Sequence, residues 1–242
     1  MISYSLNEEV IVHKEKVGNK AFNLARVANI IDNYAIANGF VVTAESIQDT
    51  DFKQGADYIF DECIRRKVGF PIILRSSANV EDSKYSFAGI FESHICRNRD
   101  ELYTGLEKVM LAIVSQRLQL YCNKIGIERN SVTLSVIVQK VINADYAGVA
   151  FSKHPITNDN EVIYVEYYRE NTSGVEEGNI NPFRICIKKN GENDIGSLQK
   201  KMFNMLREYV VCLESAFLKP VDIEWAYTDQ RLIILQIRPI TT

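Results

Sequence analysis

The 242-residue chain is short of the residues that would place it in several large functional classes. Its three histidines (His13, His94, His154) are scattered and form no metal-binding spacing. Its five cysteines (Cys63, Cys96, Cys122, Cys186, Cys212) are an odd number without any Cys-x-x-Cys pair. That pattern argues against a disulfide framework or a zinc ribbon, and fits reduced, structural thiols in a cytoplasm. There is no excess of basic charge: 28 Lys and Arg against 31 Asp and Glu give a formal net charge of -3. A nucleic-acid or anionic-membrane partner is therefore not expected on electrostatic grounds. No apolar run approaches the roughly 20 residues that a membrane span requires. Met1-Ile2-Ser3-Tyr4 lacks the basic-then-apolar order of a secretory signal. Nor is there an internal repeat, a low-complexity tract or a Pro/Gly/Ser linker.

What remains is an ordinary globular composition, 46% hydrophobic and 24% charged, in a chain long enough for one large domain or two lobes. Gly18-Asn19-Lys20 opens a segment with Phe22, Leu24, Ala25, Ala28 and Ile31 at helical spacing. Further helices are predicted over residues 51–67, 101–125 (closed by Gly126) and 198–218 (stopped before Pro220). Strands are predicted over residues 40–43, 71–75, 132–141, 148–151, 161–167 and 184–188. The small polar stretch Ser76-Ser77-Ala78-Asn79-Val80-Glu81-Asp82-Ser83 reads as a loop. Helices and strands without strict β-α-β alternation predict an α+β protein of two lobes.

Chemistry concentrates at a few places. In the closing strand pair, Ile223, Trp225 and Tyr227 share one face, as do Ile233, Leu235 and Ile237 on the second strand. The opposite parity carries Asp222 and Glu224, then Gln236 and Arg238. An odd turn register sets Glu224 opposite Gln236 and Asp222 opposite Arg238. Carboxylate and amide oxygens beside a guanidinium suit a hard cation and a phosphate, although an edge hairpin with one wet face has the same pattern. Arg75 ends an apolar run and enters the Ser/Ala loop, where a guanidinium and backbone N–H groups can meet a phosphate. Lys20 follows a glycine at a helix start, where donors point outward. Ser86-Phe87-Ala88-Gly89 is a second small-residue turn, and Gln139-Lys140-Val141 ends a β-branched strand.

Taken in order, these segments resemble the nucleotide-binding domain of the phosphoenolpyruvate synthase and pyruvate phosphate dikinase family, an ATP-grasp relative that also includes rifampicin phosphotransferase. The resemblance rests on Val17-Gly18-Asn19-Lys20-Ala21-Phe22-Asn23-Leu24 and on Gly39-Phe40-Val41-Val42-Thr43. It continues through Leu74-Arg75-Ser76-Ser77-Ala78 with Glu81-Asp82, Ser86-Phe87-Ala88-Gly89 and Glu92-Ser93. Val138-Gln139-Lys140-Val141, Ala147-Gly148-Val149-Ala150-Phe151 and the Asp222-Ile223-Glu224-Trp225 … Leu235-Gln236-Ile237-Arg238-Pro239 pair complete it. It implies an α+β, ATP-grasp-like unit over residues 1–242, with lobes near 1–130 and 131–242 and ATP bound between them. Lys20 and Arg75 would hold ATP phosphates, with Ser93 and the 86–89 loop closing over them. Gln139 and Val141 would frame the adenine, Glu224 and Gln236 would bind Mg²⁺, and Arg238 would stabilise the transferred phosphoryl group.

The family's phosphohistidine swivelling domain and acceptor domain have no counterpart in these residues. The resemblance therefore implies transfer from ATP to a histidine on a separate partner protein, and onward to a small-molecule acceptor. A ligase or kinase acting directly on a small acceptor, or a regulatory nucleotide-binding module, are the alternatives. Three departures stand out. The family's Gly-Leu-Gly-Glu falls at Glu170-Asn171-Thr172-Ser173, its Asp-Pro is His154-Pro155, and the segment over residues 43–71 is shorter.

Overall fold

A computed structural model describes residues 1–48, 50–81, 87, 89–169, 181–191 and 199–240. The strands are β1 (Ser3–Ser5), β2 (Gly39–Val42), β3 (Ile72–Ala78), β4 (Ser93–Cys96), β5 (Leu134–Lys140), β6 (Tyr146–Phe151), β7 (Val162–Arg169), β8 (Phe183–Lys188), β9 (Val221–Thr228) and β10 (Arg231–Pro239). The α-helices are α1 (Glu8–Val12), α2 (Lys14–Ile30), α3 (Ala44–Gln48), α4 (Phe52–Arg65), α5 (Glu101–Leu111), α6 (Gln116–Ile125) and α7 (Lys200–Phe217). The fold is α+β. None of the described helices is long and apolar enough to cross a membrane.

Two compact units divide the chain: Met1–Arg26 with Ala37–Val141, and Val27–Ile36 with Ile142–Thr242. In the first, an antiparallel sheet of order β1-β2-β5-β3-β4 is two-faced. One face carries Phe40, Val42, Ile72, Leu74, Val136 and Val138, which form a core with Ala56 and Ile59 of α4, Leu102 and Leu106 of α5, and Leu118 of α6. In the second unit, the antiparallel order is β10-β9-β6-β7-β8. Phe203 of α7 meets Tyr167 of β7 edge-on at 5.2 Å, so α7 covers the face that also bears Ile223 and Trp225.

Three sequence expectations change. The helix expected over residues 101–125 is broken: α5 ends at Leu111, a 3₁₀ turn follows, and α6 restarts at Gln116. Ser115 causes the restart, because its extended backbone (φ -66°, ψ 142°) lets its hydroxyl cap the Leu118 N–H. The expected loop over residues 76–83 begins three residues later, since Ser76, Ser77 and Ala78 pair with Val136, Ser135 and Leu134 of β5. Arg75 is therefore a mid-strand residue. The third concerns β10, where Leu232 and Ile234, not Ile233 and Leu235, share the Trp225 face with Ile237.

A charged knot fastens the β1 strand to α4. The buried Glu62 carboxylate accepts from Arg65 Nε (2.8 Å), Arg66 Nε (2.7 Å) and Ser3 Oγ (2.8 Å). The Arg65 hydrogen bonds hold its pKa down to about 2, with Arg66 and Ser3 adding to the effect and burial opposing it. An acid whose folded pKa is depressed stabilises the fold above its unfolded value and loses that contribution as pH falls. We expect the melting temperature to fall as pH drops from about 4.5 toward 2, and Glu62→Gln to flatten that part of the profile. A Glu62→Gln profile as steep as wild type would assign the acid sensitivity elsewhere.

Candidate functional site

In the first unit, cross-strand pairing gathers polar side chains on the sheet face opposite the α4–α5–α6 core. Arg75 lies opposite Ile137 and Ser93, and Gln139 lies opposite Ile73 and Gly39, so Arg75, Ser93 and Gln139 point to the same side. Arg75 and Gln139 are buried, whereas Ser93 is exposed. Ser77 and Ser135 lie on that face too, and they explain how Lys20 reaches it. Ser77 Oγ donates to the Val17 carbonyl (2.7 Å) and accepts from Ala21 N (3.0 Å), while Ser135 Oγ donates to the Lys16 carbonyl (2.8 Å).

The chain can lie this close only because residue 18 is glycine. Gly18 has φ 71° and ψ 169°, a kink within α2, and a Cβ there would strike the Ser77 carbonyl oxygen and sit 2.7 Å from Ser77 Oγ. The regular helix thus begins just after Gly18, as the sequence pattern anticipates, and delivers Lys20 in its first turn. Lys20 Nζ donates to the Ser76 carbonyl (3.0 Å) and to Glu81 Oε1 (3.1 Å). Of the adenine-framing pair, Gln139 donates from Nε2 to the Ala37 carbonyl (3.3 Å), and the Val141 N–H is taken by the Pro71 carbonyl (3.0 Å). Within the 86–89 loop, Phe87 is buried and Gly89 has φ 72°; Ser86 and Ala88 lie outside the described residues, as do residues 170–173.

In the second unit, Glu224 is directly opposite Gln236, and Asp222 is opposite Arg238. All four share one face with Phe151 and Val149 of β6 and with Tyr164 and Glu166 of β7. The register is made in two stages. The two-residue turn, Asp229 (φ 49°) and Gln230 (φ 58°), pairs Arg231 with Thr228 and continues to Ile234 with Trp225. Continued unchanged, that ladder would set Leu235 against Glu224. A β-bulge absorbs Leu235 instead, and Gln236 takes the position opposite Glu224. Arg238 Nε donates to Asp222 Oδ2 at 2.7 Å. Burial pushes the Asp222 carboxyl above its ordinary range, Arg238 pulls it back, and Glu224 adds to the rise.

Residues 50–195 and 167–242 match the family model described as "Pyruvate phosphate dikinase, AMP/ATP-binding domain". The chain belongs to that family. Among the dikinase-domain relatives, a probable phosphoenolpyruvate synthase of Methanocaldococcus jannaschii is 26% identical over 204 residues, covering 71% of this chain and 17% of the relative. A rifampicin phosphotransferase of Bacillus cereus is 27% identical over 200 residues, covering 70% of this chain and 23% of the relative. The chain thus spans about a quarter or less of the length of these two relatives. A D-alanine–D-alanine ligase structure from Helicobacter pylori aligns with a TM-score of 0.48 and 11% identity, over 92% of this chain and 54% of its own.

Against this dikinase-domain pattern, sequence reasoning passed over the partner of Lys20. Glu81 is half of a Glu81-Asp82 motif, and nothing local says that it folds back onto a helix 61 residues earlier.

Proposed function

We propose that the chain is an ATP- and Mg²⁺-dependent phosphotransferase unit of the phosphoenolpyruvate synthase type. It passes a phosphoryl group from ATP to a histidine on a separate swivelling domain, which then phosphorylates a small molecule. Lys20 and Arg75 grip ATP phosphates, and Ser93 closes on them. Gln139 and the carbonyl side of Val141 border the adenine. Arg238, held by Asp222, stabilises charge on the phosphoryl group in transfer.

The observation that carries this reading is the pairing of Glu224 directly opposite Gln236, with Arg238 two residues on. Directly opposed strand residues hold their Cβ atoms about 4.5–5.5 Å apart, close enough for one carboxylate and one amide oxygen to share an ion. Hard oxygen donors in that number fit Mg²⁺, which takes its remaining ligands from phosphate and water. Bound there, Mg²⁺ would neutralise charge on the phosphate oxygens. Phosphoryl transfer asks a protein for positioning and cations more than for a nucleophile, and the named residues supply both.

Mixing the chain with radiolabelled ATP, Mg²⁺ and a swivelling histidine domain from a relative supplied in trans is the direct test. Label should appear on the added domain, acid-labile as a phosphohistidine is, with little stable label on this chain. Transfer straight to a small acceptor with the added domain unlabelled would replace the carrier mechanism by direct phosphorylation.

A further inference from the structure

Lys20 is anchored before any phosphate arrives. Its ammonium has three N–H donors, and two are committed to the Ser76 carbonyl and Glu81 Oε1. The Lys20 and Glu81 side chains keep only 11% and 10% of their exposure, so water competes little for the pair. Glu81 is itself fixed at both ends. Its Oε2 accepts from the Ala78 N–H (2.8 Å), and its main-chain carbonyl accepts from Asn19 Nδ2. Asn19 Nδ2 also donates to the Asn79 carbonyl (3.1 Å), tying the residue before Lys20 to the turn that carries Glu81.

We propose that Glu81 is a positioning residue for phosphate binding. It holds the Lys20 ammonium at the Ser76 carbonyl, one residue from Arg75, with its third N–H taken by none of the described residues. The inference rests on the phosphate role of Lys20 proposed above. A lysine on a free four-carbon stem loses rotamer freedom each time it grips a phosphate, and the Glu81 contact removes that loss in advance. The carboxylate is needed for its two acceptors, not only for its charge. An amide of the same shape must turn an NH₂ either toward the Lys20 ammonium or toward the Ala78 N–H, and each is a donor facing a donor. The opposing possibility is that Glu81 merely competes with phosphate for Lys20. The two differ in sign, because removing a competitor tightens ATP binding and removing a positioner weakens it.

The test compares wild type, Lys20→Ala, Glu81→Gln and the double variant, all as full chains. Binding of MgATP is measured by calorimetry, and labelling of Lys20 by an amine-reactive ester is quantified by mass spectrometry. Glu81→Gln is expected to weaken ATP binding about tenfold, the scale of a hydrogen bond to a charged group. In wild type and Glu81→Gln, labelling of Lys20 should differ several-fold, higher in the variant. The double variant should bind no more weakly than Lys20→Ala, because Glu81 acts only through Lys20. Unchanged or tighter binding in Glu81→Gln, unchanged labelling, or additive losses would each overturn the positioning role. Normal ATP binding by Lys20→Ala would instead overturn the phosphate role of Lys20, while the labelling arm still reads the Glu81 contact by itself. Should Glu81→Gln not fold, Glu81→Asp, too short to reach both partners, enters the same comparison.

Discussion

Glu224→Gln is expected to remove ATP turnover and leave the fold standing. The substitution keeps the side-chain shape, and Glu224 sits in a ladder whose backbone pairs, with Gln236 on one side and Val149 on the other, do not depend on the carboxylate. What changes is the donor set: two neutral amides would face each other where a carboxylate faced one. Mg²⁺ held with nucleotide phosphates is anchored through one or two carboxylates, and none would remain in the pair. Loss of metal-assisted charge stabilisation is worth several kcal/mol, so kcat should fall by about a thousandfold or more. The melting temperature should stay within about 2 °C of wild type, as for most shape-conserving changes away from the core. The paired measurement is MgATP turnover with the histidine carrier alongside a thermal melt. A variant that keeps its turnover would end the metal-ligand assignment of Glu224.

Gly18→Ala should produce a large structural effect for a single added methyl group. Two costs coincide at this position. The φ of 71° is unfavourable for any residue with a Cβ, and the added carbon would collide with the β3 backbone at Ser77. Gly126 is the milder comparison: its φ of 72° with ψ 31° lies in the left-handed helical well and no heavy atom lies within 4 Å of its would-be Cβ, whereas Gly18 at φ 71°, ψ 169° sits in a region essentially reserved for glycine. Gly126→Ala should therefore cost about 1 kcal/mol, the strain alone. Gly18→Ala should cost about 3 kcal/mol or more, because β3 or α2 must also move. Urea titrations of the two variants side by side provide the check. Equal losses would mean that the α2–β3 approach relaxes freely.

Gly18→Ala should also weaken ATP binding beyond its effect on stability, because the Gly18 contact sets where Lys20 begins its turn.

The parts of this fold legible from sequence are those written in local chemistry. Gly18 before a helical period marks a helix start, and Gly126 marks a helix end with the left-handed cap that its residue type anticipates. The polar parity of Asp222, Glu224, Gln236 and Arg238 places them on one face, and the pairing bears this out. Ser76-Ser77-Ala78 misled because small polar residues usually mark loops. Here Ser77 is small so that α2 can lie against the strand, while Ala78 packs into the core on the opposite face, tertiary requirements invisible in the segment itself. The broken helix was hidden in a similar way: apolar residues recur through 101–125, and only Ser115, a modest cap signal, interrupts them. Glu81 illustrates the general limit, since its role depends on a partner brought in by the fold.

The bulge at Leu235 divides the β9–β10 hairpin into two segments with separate phases. The tip takes its phase from the Asp229–Gln230 turn, and the base, with Glu224, Gln236, Asp222 and Arg238, takes its own from the extra residue. Neither phase dictates the other. A tip lengthened by one residue could be accommodated by a ladder without the bulge, leaving Gln236 still opposite Glu224. Length variation at the tip of this hairpin is thereby insulated from the pairing of Glu224 with Gln236 at its base. The run Leu232-Ile233-Ile234-Leu235, uniformly aliphatic, is the stretch over which such a slip meets the least resistance.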